Sequence, residues 1–472
     1  MLRPHHRRRR AGAAALSLAL APLALPPVAA AHGLAGRTDL PVPGWIFAWA
    51  AGVVLVLSFV ALSVLWQRPL LEGVRSRPVL RIPRVVEPLA GAVGIAAFVG
   101  LVHAGLAGTQ EPLANILPTF VFVVFWVAVP VLSAIFGDFF APLNPWRATA
   151  RAAAWCVRRA GRPDRRAPLA YPAWLGRRPA ALGLLAFAWV ELVLVDRDDP
   201  STLAWLAIAY AVTQLIGMAL FGIATWCERA DPFGVYFGLA GRLAPLEVRA
   251  RTLRVRPPLT GLTSLPALPG TVAIVCVLIG TTSFDGAAMG LWKQAGPSVT
   301  RFFGDLGAGP DAATELAGTF GLLVAVAAVT AAYLLGVRGM ANAVRRPVRP
   351  ERFAHTMAPI ALAYVVAHYF SLVVFQGQAM AALVSDPLGD GSDLLGTARS
   401  TVDYNLISSH AIWYVQVAAL ILGHVGGLVL SHDRALVLFR GRAAVRSQYW
   451  MLAIMVGFTS LGLWLLSTVS AS

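Results

Sequence analysis

Charged residues are scarce in this sequence: they occupy 13% of its 472 positions, while 57% are hydrophobic. A soluble domain carries about twice that charged fraction, so a string of soluble domains is excluded. The three cysteines, Cys156, Cys227 and Cys276, are too far apart for a CxxC metal motif or a disulfide framework. HExxH, GxSxG and P-loop patterns are also missing, which excludes the common metalloprotease, serine-hydrolase and ATP-binding signatures.

What the sequence has instead is apolar runs near 20 residues, long enough to cross a bilayer. The first 31 residues resemble a secretory signal, with the basic start MLRPHHRRRR, an apolar core and Ala29-Ala30-Ala31 as a cleavage site. An uncleaved first span is the alternative. Residues 32–472 then form an integral membrane domain, an all-α polytopic helix bundle. Its ten predicted spans lie near 44–66, 88–106, 116–137, 180–195, 201–226, 267–282, 315–337, 354–382, 408–431 and 448–467.

The basic residues test this topology, because cytoplasmic loops of membrane proteins are enriched in arginine and lysine. Alternate loops hold 29 basic residues, against 5 in the opposite set. The mature amino terminus and the carboxyl terminus are therefore predicted to lie outside a bacterial plasma membrane. The net charge of +16 is explained by these loops, so no nucleic-acid partner is expected.

Two of the predicted interior loops look alike. Each follows a Phe-Gly and contains an Asn/Asp-Pro-aromatic turn, at Asn144-Pro145-Trp146 and at Asp231-Pro232-Phe233. Asn or Asp followed by Pro is typical of a helix start. Trp146, Trp155 and nearby arginines favour an interfacial amphipathic helix after the first turn. An ancient duplication and two independent interfacial caps are both consistent with the pattern.

The predicted exterior loops 283–314 and 383–407 are rich in glycine and in aspartate. Their acidic residues are Asp285, Asp386, Asp390, Asp393 and Asp403. The spacing of Asp386, Asp390 and Asp393 does not fit an EF-hand. Such loops either cover an entrance and bind a partner, or are solvated connections.

Ionisable side chains inside spans are candidates for function. In the eighth span Tyr364 and His368 share one helix face, and in the ninth Gln416 and His424 do so. Gly423 and Gly427 form a GxxxG around His424, which favours close contact with the eighth span. This stretch is the candidate intramembrane polar site.

Three roles remain open for the cluster: interhelical hydrogen bonding, a transition-metal site on His368 and His424, and a proton or ion path. Zinc and copper are the candidate metals. Glu191 and Asp138 are further acidic candidates. His103, His355, His410 and His432 lie at span ends, where an interfacial position is the simpler explanation.

The predicted mature amino terminus offers a second metal hypothesis. Cleavage after Ala31 would leave His32 with a free α-amine and an imidazole, and His103 or His410 could add another imidazole. Nitrogen ligands in that number suit copper.

Several segments resemble a family of actinobacterial multi-spanning proteins labelled fenitrothion hydrolase. They are HGLAGRTDLPVPGWIFAWAAGVVLVLSFVALSVLW, GLAGTQ with LPTFVFVVFW, FGDFFAPLNPWRA, FDG with a following Trp, DPLGDG with LGTA, and WYVQVAALILGHVGGLVLSHDRA. The resemblance covers most of the chain and implies a membrane-bound organophosphate-ester hydrolase, or a subunit of one. It implies no catalytic residues.

Three classes of function therefore compete. The first is a phosphotriester hydrolase with a small apolar substrate, and the second is a permease for a small solute or metal ion. The third is an assembly subunit that binds a membrane partner and has no chemistry of its own.

Overall fold

The structure is a computed structural model and describes residues 44–161, 167–288 and 290–471. The predicted signal peptide 1–31 and His32 lie outside the described residues. Ten long helices follow the ten predicted spans, and we number them in chain order. They are α1 (Gly44–Leu65), α2 (Val86–Ala107), α3 (Ile116–Phe136), α4 (Arg178–Leu192), α5 (Pro200–Phe221), α6 (Thr271–Ala288), α7 (Pro310–Val344), α8 (Ala358–Ser385), α9 (Ser409–Leu438) and α10 (Arg442–Ala471).

Seven of these helices, α2, α3 and α5 to α9, are long and apolar enough to cross a membrane. The all-α bundle is confirmed, and the chain is an integral membrane protein. Other helices connect these ten: Phe140–Leu143, Pro145–Arg159, Ile223–Arg229, Pro232–Gly241, Thr260–Thr263 and Leu291–Asp305, with 3₁₀ turns at Pro350–Arg352 and Ala354–Met357.

The two spans predicted as short ones differ from their predicted limits. Helix α4 has 15 residues, about 22 Å of rise, which is less than the roughly 30 Å of hydrocarbon in a bilayer. Helix α6 continues to Ala288, six residues beyond the predicted end at 282. The prediction that Asp285 belongs to an exterior loop is therefore wrong, because Asp285 is in the last turn of a buried helix.

Close packing of α8 on α9 follows from the glycines of the predicted GxxxG. A Cβ added to Gly423 would lie 2.2 Å from the Cβ of Ala363, and one on Gly427 would lie 2.8 Å from the backbone oxygen of Thr356. Only glycine permits this approach of the two backbones. The predicted contact around His424 is confirmed.

A three-stranded antiparallel sheet was not predicted. It consists of β1 (Arg77–Arg81), β2 (Leu246–Arg249) and β3 (Thr252–Val255), in the order β1-β3-β2. Strands β2 and β3 are joined by Ala250 and Arg251, which both have positive φ, 48° and 59°. A two-residue turn with positive φ at both positions usually contains Asn or Gly, and this turn contains neither.

The five arginine-rich loops meet at one end of the bundle, which we call the arginine-rich end. The sheet joins the first to the third, and Asn144 of the second donates to Asp231 of the third. Asp433 in the last turns of α9 accepts from the Trp66 indole and from the backbone N–H of Leu70, and Arg346 donates to Leu438. These bonds bring together the five loops that were predicted to share one side, while the side of the membrane stays a prediction.

Both Asn/Asp-Pro turns begin helices as predicted, and they bond to each other. Asp231 is fully buried, and its carboxylate accepts from Asn144 Nδ2 and Trp146 Nε1, both at 2.9 Å, and from the Tyr210 hydroxyl at 2.7 Å. The backbone N–H of Gly234 also donates to it. Trp146 is thus a buried contact and not the interfacial anchor we predicted, whereas Trp155 is exposed.

Candidate functional site: a buried Asp–His–Tyr cluster

The four predicted site residues, Tyr364, His368, Gln416 and His424, are all buried in the bundle. Gln416 is a buried residue of α9, and the partners of the other three divide them into two groups. His424 and Tyr364 contact backbone and each other, whereas His368 contacts an acidic side chain. The geometry of the two histidines is therefore described separately.

His424 is held as a packing residue. Its Nδ1 lies 2.7 Å from the carbonyl oxygen of Leu420, so this nitrogen carries the proton. Its ring lies 6.0 Å from that of Tyr364, whose hydroxyl donates to Phe458 in α10 at 2.6 Å. The other ring nitrogen, Nε2, is buried and has no hydrogen-bond partner among the described residues.

His368 pairs with Asp285 across the contact of α8 with α6. The imidazole Nε2 lies 2.8 Å from Oδ2 of Asp285, and the neighbouring Tyr369 hydroxyl donates to the same oxygen at 2.8 Å. The histidine and aspartate side chains are 10% and 16% exposed. Thus a carboxylate, an imidazole and a phenol converge within the spanning helices.

A second carboxylate stands beside this group. Glu191, in the last turn of α4, is close enough to Asp285 for their charges to interact, and Tyr369 lies near both. The Oε2 of Glu191 is buried without a hydrogen-bond partner in the described part of the chain. Tyr236, on the buried helix Pro232–Gly241, is the next polar side chain, and Glu191 influences it electrostatically. Its hydroxyl likewise lacks a partner within the described residues.

Sequence reasoning found His368 and Glu191 but missed Asp285 and Tyr369 as parts of the cluster. Asp285 was missed because the sixth span was ended too early. A signal was available: TTSFDGAA continues the apolar run, and extending the helix by one turn puts Asp285 inside the membrane domain. Tyr369 follows His368 directly, so the shared helix face gave no reason to choose it.

The described residues offer no complete set of ligands for the predicted metal sites. Across residues 44–161, 167–288 and 290–471, no group of three or more His, Cys, Asp or Glu side chains could hold a metal ion. His103 and His410 are exposed at the surface, and His32 lies outside the described residues. His355 and His432 are buried rather than interfacial, and His432 contacts the backbone oxygen of Trp66.

The carboxylates in the loop after α8 accept hydrogen bonds that stabilise the conformation of that loop. Asp386 accepts from the backbone N–H groups of Asp390 and Gly391, and Asp393 accepts from the Ser385 hydroxyl and from Ala398 N–H. These bonds hold the pKa values of Asp386 and Asp393 below the usual range, although burial opposes the effect and is the largest single influence for Asp386. The two side chains serve as turn-forming groups.

Comparison with known proteins found no match for the chain among protein-family models, curated proteins or solved structures.

Proposed function

We propose that the chain is a proton-linked permease for a small solute, in which the Asp285–His368 pair takes up and releases the coupling proton. The observation that carries this proposal is the 2.8 Å contact of the imidazole with a carboxylate inside spanning helices. Carboxylates and histidines in such positions are costly and usually mark ion or proton pathways. Histidine also changes charge near neutral pH.

The pair can hold a proton in two ways. With one shared proton it is either a carboxylic acid beside a neutral imidazole or a carboxylate beside an imidazolium. A second proton leaves a net positive charge between α6 and α8. Desolvating that charge costs more free energy in a site closed to water than in one open to water. Protonation can therefore shift the equilibrium between two arrangements of the bundle.

A route for the proton toward the arginine-rich end is offered by Tyr369, Glu191 and Tyr236. Tyr369 bonds to Asp285 and lies near Glu191, which in turn is near Tyr236. The chain neighbours of Tyr236, Gly234 and Val235, line a cavity at that end. A sequence of carboxyl and hydroxyl groups is the kind of relay that protons use within membranes.

A phosphotriester hydrolase, which the family resemblance implies, is the second candidate. One observation favours it: a histidine oriented by an aspartate is also the arrangement of a general base that activates water. In that case Asp285 would orient His368, and a small apolar phosphotriester would reach the pair from the lipid.

Charge displacement on a solid-supported membrane distinguishes these proposals. Purified protein in liposomes is exposed to a pH jump from 7.5 to 5.5, and the transient current is recorded. We expect a current in the unmodified protein and at least a tenfold smaller one in Asp285→Asn and His368→Gln. His410→Gln is the matched control, because His410 is an exposed histidine outside the cluster.

Equal currents in all four proteins would contradict the permease proposal. Release of nitrophenol from a nitrophenyl phosphotriester, lost in the same two variants, would then support the hydrolase. If neither assay responds to either variant, the remaining class is a subunit that assembles with a membrane partner.

A further inference from the structure

A cavity of about 1190 Å³ lies at the arginine-rich end. Its walls are formed by the ends of α2, α3 and α6, by the helices Ile223–Arg229 and Pro232–Gly241, and by β2 with the turn after it. Neither Asp285 nor His368 is among the residues that line it. The proton route proposed above ends beside this cavity but gives no role to the arginines that line it.

The cavity wall carries an excess of positive charge. Seven arginines and four acidic residues line it. Two of the acids are engaged: Glu87 forms ion pairs with Arg147 and Arg151, and Glu247 pairs with Arg256 at 2.5 Å. Half of the acidic side chains are therefore already paired with neighbouring arginines.

Arg177 is the most unusual of these side chains because it is 3% exposed and has no ion-pair partner among the described residues. One guanidinium nitrogen donates to Thr271 Oγ1 at 3.1 Å and to the Pro266 oxygen at 3.3 Å. Its Nε is buried without an acceptor in the described part of the chain. Burial, and then the nearby Arg242, lowers the pKa of Arg177 to about 10, which still leaves the side chain charged at neutral pH.

Arg242 supplies a second cation on the same wall. It donates to the carbonyl oxygen of Gly261 and to the Ser264 hydroxyl, both neutral acceptors. Glu228 is near both arginines and offsets part of their charge. A buried cation without a full counter-charge is costly, and an anion from solution would remove that cost.

We propose that this cavity binds a phosphate-type anion, with Arg177 and Arg242 as the side chains that contact it. The planar guanidinium presents paired donors that match the oxygens of a phosphate group. The volume exceeds that of inorganic phosphate, so a phosphate ester or a lipid headgroup also fits. The proposal does not depend on whether the Asp285–His368 pair carries protons.

The test is calorimetric titration of inorganic phosphate into the full chain, purified in a maltoside detergent that contains no phosphate. We expect saturable binding, weakened at least tenfold by Arg242→Gln. Arg446→Gln is the matched control, because Arg446 is an exposed arginine near the same end but outside the cavity. Arg177→Gln should weaken binding at least as much. If that buried variant does not fold, Arg242→Gln alone decides.

Lipid nanodiscs distinguish the two sources of phosphate. If inorganic phosphate does not bind but phosphatidic acid raises the Tm of the unmodified protein above that in phosphatidylcholine, and not that of Arg242→Gln, the occupant is a lipid headgroup. Absence of both effects would overturn the proposal. Equal behaviour of Arg242→Gln and Arg446→Gln in both assays would overturn it too.

Discussion

Two largely buried aspartates, Asp231 and Asp285, have opposite surroundings. Asp231, beside the arginine-rich end, accepts four hydrogen bonds from an amide, an indole, a phenol and a backbone N–H, none of which titrates near neutral pH. Asp285, inside the bundle, shares one oxygen between a phenol and an imidazole and stands near a second carboxylate.

The difference separates a structural acid from a candidate for chemistry. Around Asp231 every donor is fixed, so the carboxylate serves as a permanent acceptor that ties together two similar helix starts. Around Asp285 two of the neighbours, His368 and Glu191, are themselves ionisable groups. Burial alone would not have distinguished the two residues, whereas the chemistry of their partners does.

The largest effect is expected from Asp231→Asn. The new amide nitrogen cannot accept from Asn144 or Trp146, so buried donors lose their acceptor and the free energy of unfolding falls by about 3 kcal/mol. Asp285→Asn keeps one acceptor oxygen and should lower it by less than about 1 kcal/mol. Unfolding in mixed SDS–maltoside micelles, followed by tryptophan fluorescence, measures both. Equal losses would erase the distinction between the two aspartates.

A smaller loss of stability is expected from a substitution at Gly423. This prediction tests whether the adjacent His424 has a structural role, as Asp231 does. Gly423→Ala brings a methyl group against Ala363 and should lower the free energy of unfolding by about 1–3 kcal/mol. Gly377→Ala is the matched control on α8, since a Cβ there meets no atom within 4 Å. The pH-jump current of folded Gly423→Ala should be unchanged. Loss of the current would instead indicate that His424 has a functional role.

A third aspartate, Asp138, sharpens the comparison because it faces the cavity. Asp138 is exposed to this cavity, but the protein around its carboxyl group partly desolvates it and raises its pKa to about 6. The Ala141 N–H, Arg147 and Arg242 oppose that shift, while Asp231 adds to it. Below pH 6 the protonated side chain no longer offsets the arginines. Sulfate, which does not titrate in this range, should bind about tenfold more tightly at pH 5.0 than at pH 7.5.

In Asp138→Asn the same titration should give tight sulfate binding at both pH values. Retention of the pH dependence in that variant would show that another group causes it. Loss of binding at both pH values would mean that the carboxylate shapes the cavity rather than tuning its charge.

The smallest stability effect is expected from Tyr236→Phe. Its hydroxyl is buried without a partner in the described residues, so its removal should change the free energy of unfolding by less than about 1 kcal/mol. If the hydroxyl belongs to the proton route, the pH-jump current falls severalfold nevertheless. Tyr364→Phe is the control, since it loses a bond to the Phe458 backbone at 2.6 Å and should reduce stability without reducing the current.

The parts of the fold that could be predicted are those with a local cause. Apolar run length predicted the long helices, arginine counts predicted which loops share an end, and the Asn144 and Asp231 caps predicted two helix starts. The sheet could not be predicted, because β1 pairs with a strand about 175 residues later and Ala250-Arg251 is not a recognisable hairpin turn.

The candidate site was half predictable for a related reason. His368 was found because a histidine within an apolar run is conspicuous in one segment alone. Its partner comes from another helix, and depth along α6 depended on where that helix ends. An error of six residues at one boundary placed Asp285 in a loop. Pairings across helices need relative depths that hydropathy gives only to within a turn or two.

The long-range contacts at the arginine-rich end determine the order in which distant parts of the chain can pair during synthesis. Strand β1 has no partner strand until residues 252–255 have been made, and the bonds from Trp66 and Leu70, just after α1, cannot form until Asp433 follows. At about 5–20 residues per second, the second wait is roughly 20 to 70 seconds. During that time the first spans must stay in the membrane without their final contacts. We therefore expect the early loops to remain without these long-range bonds until the ninth helix has been made.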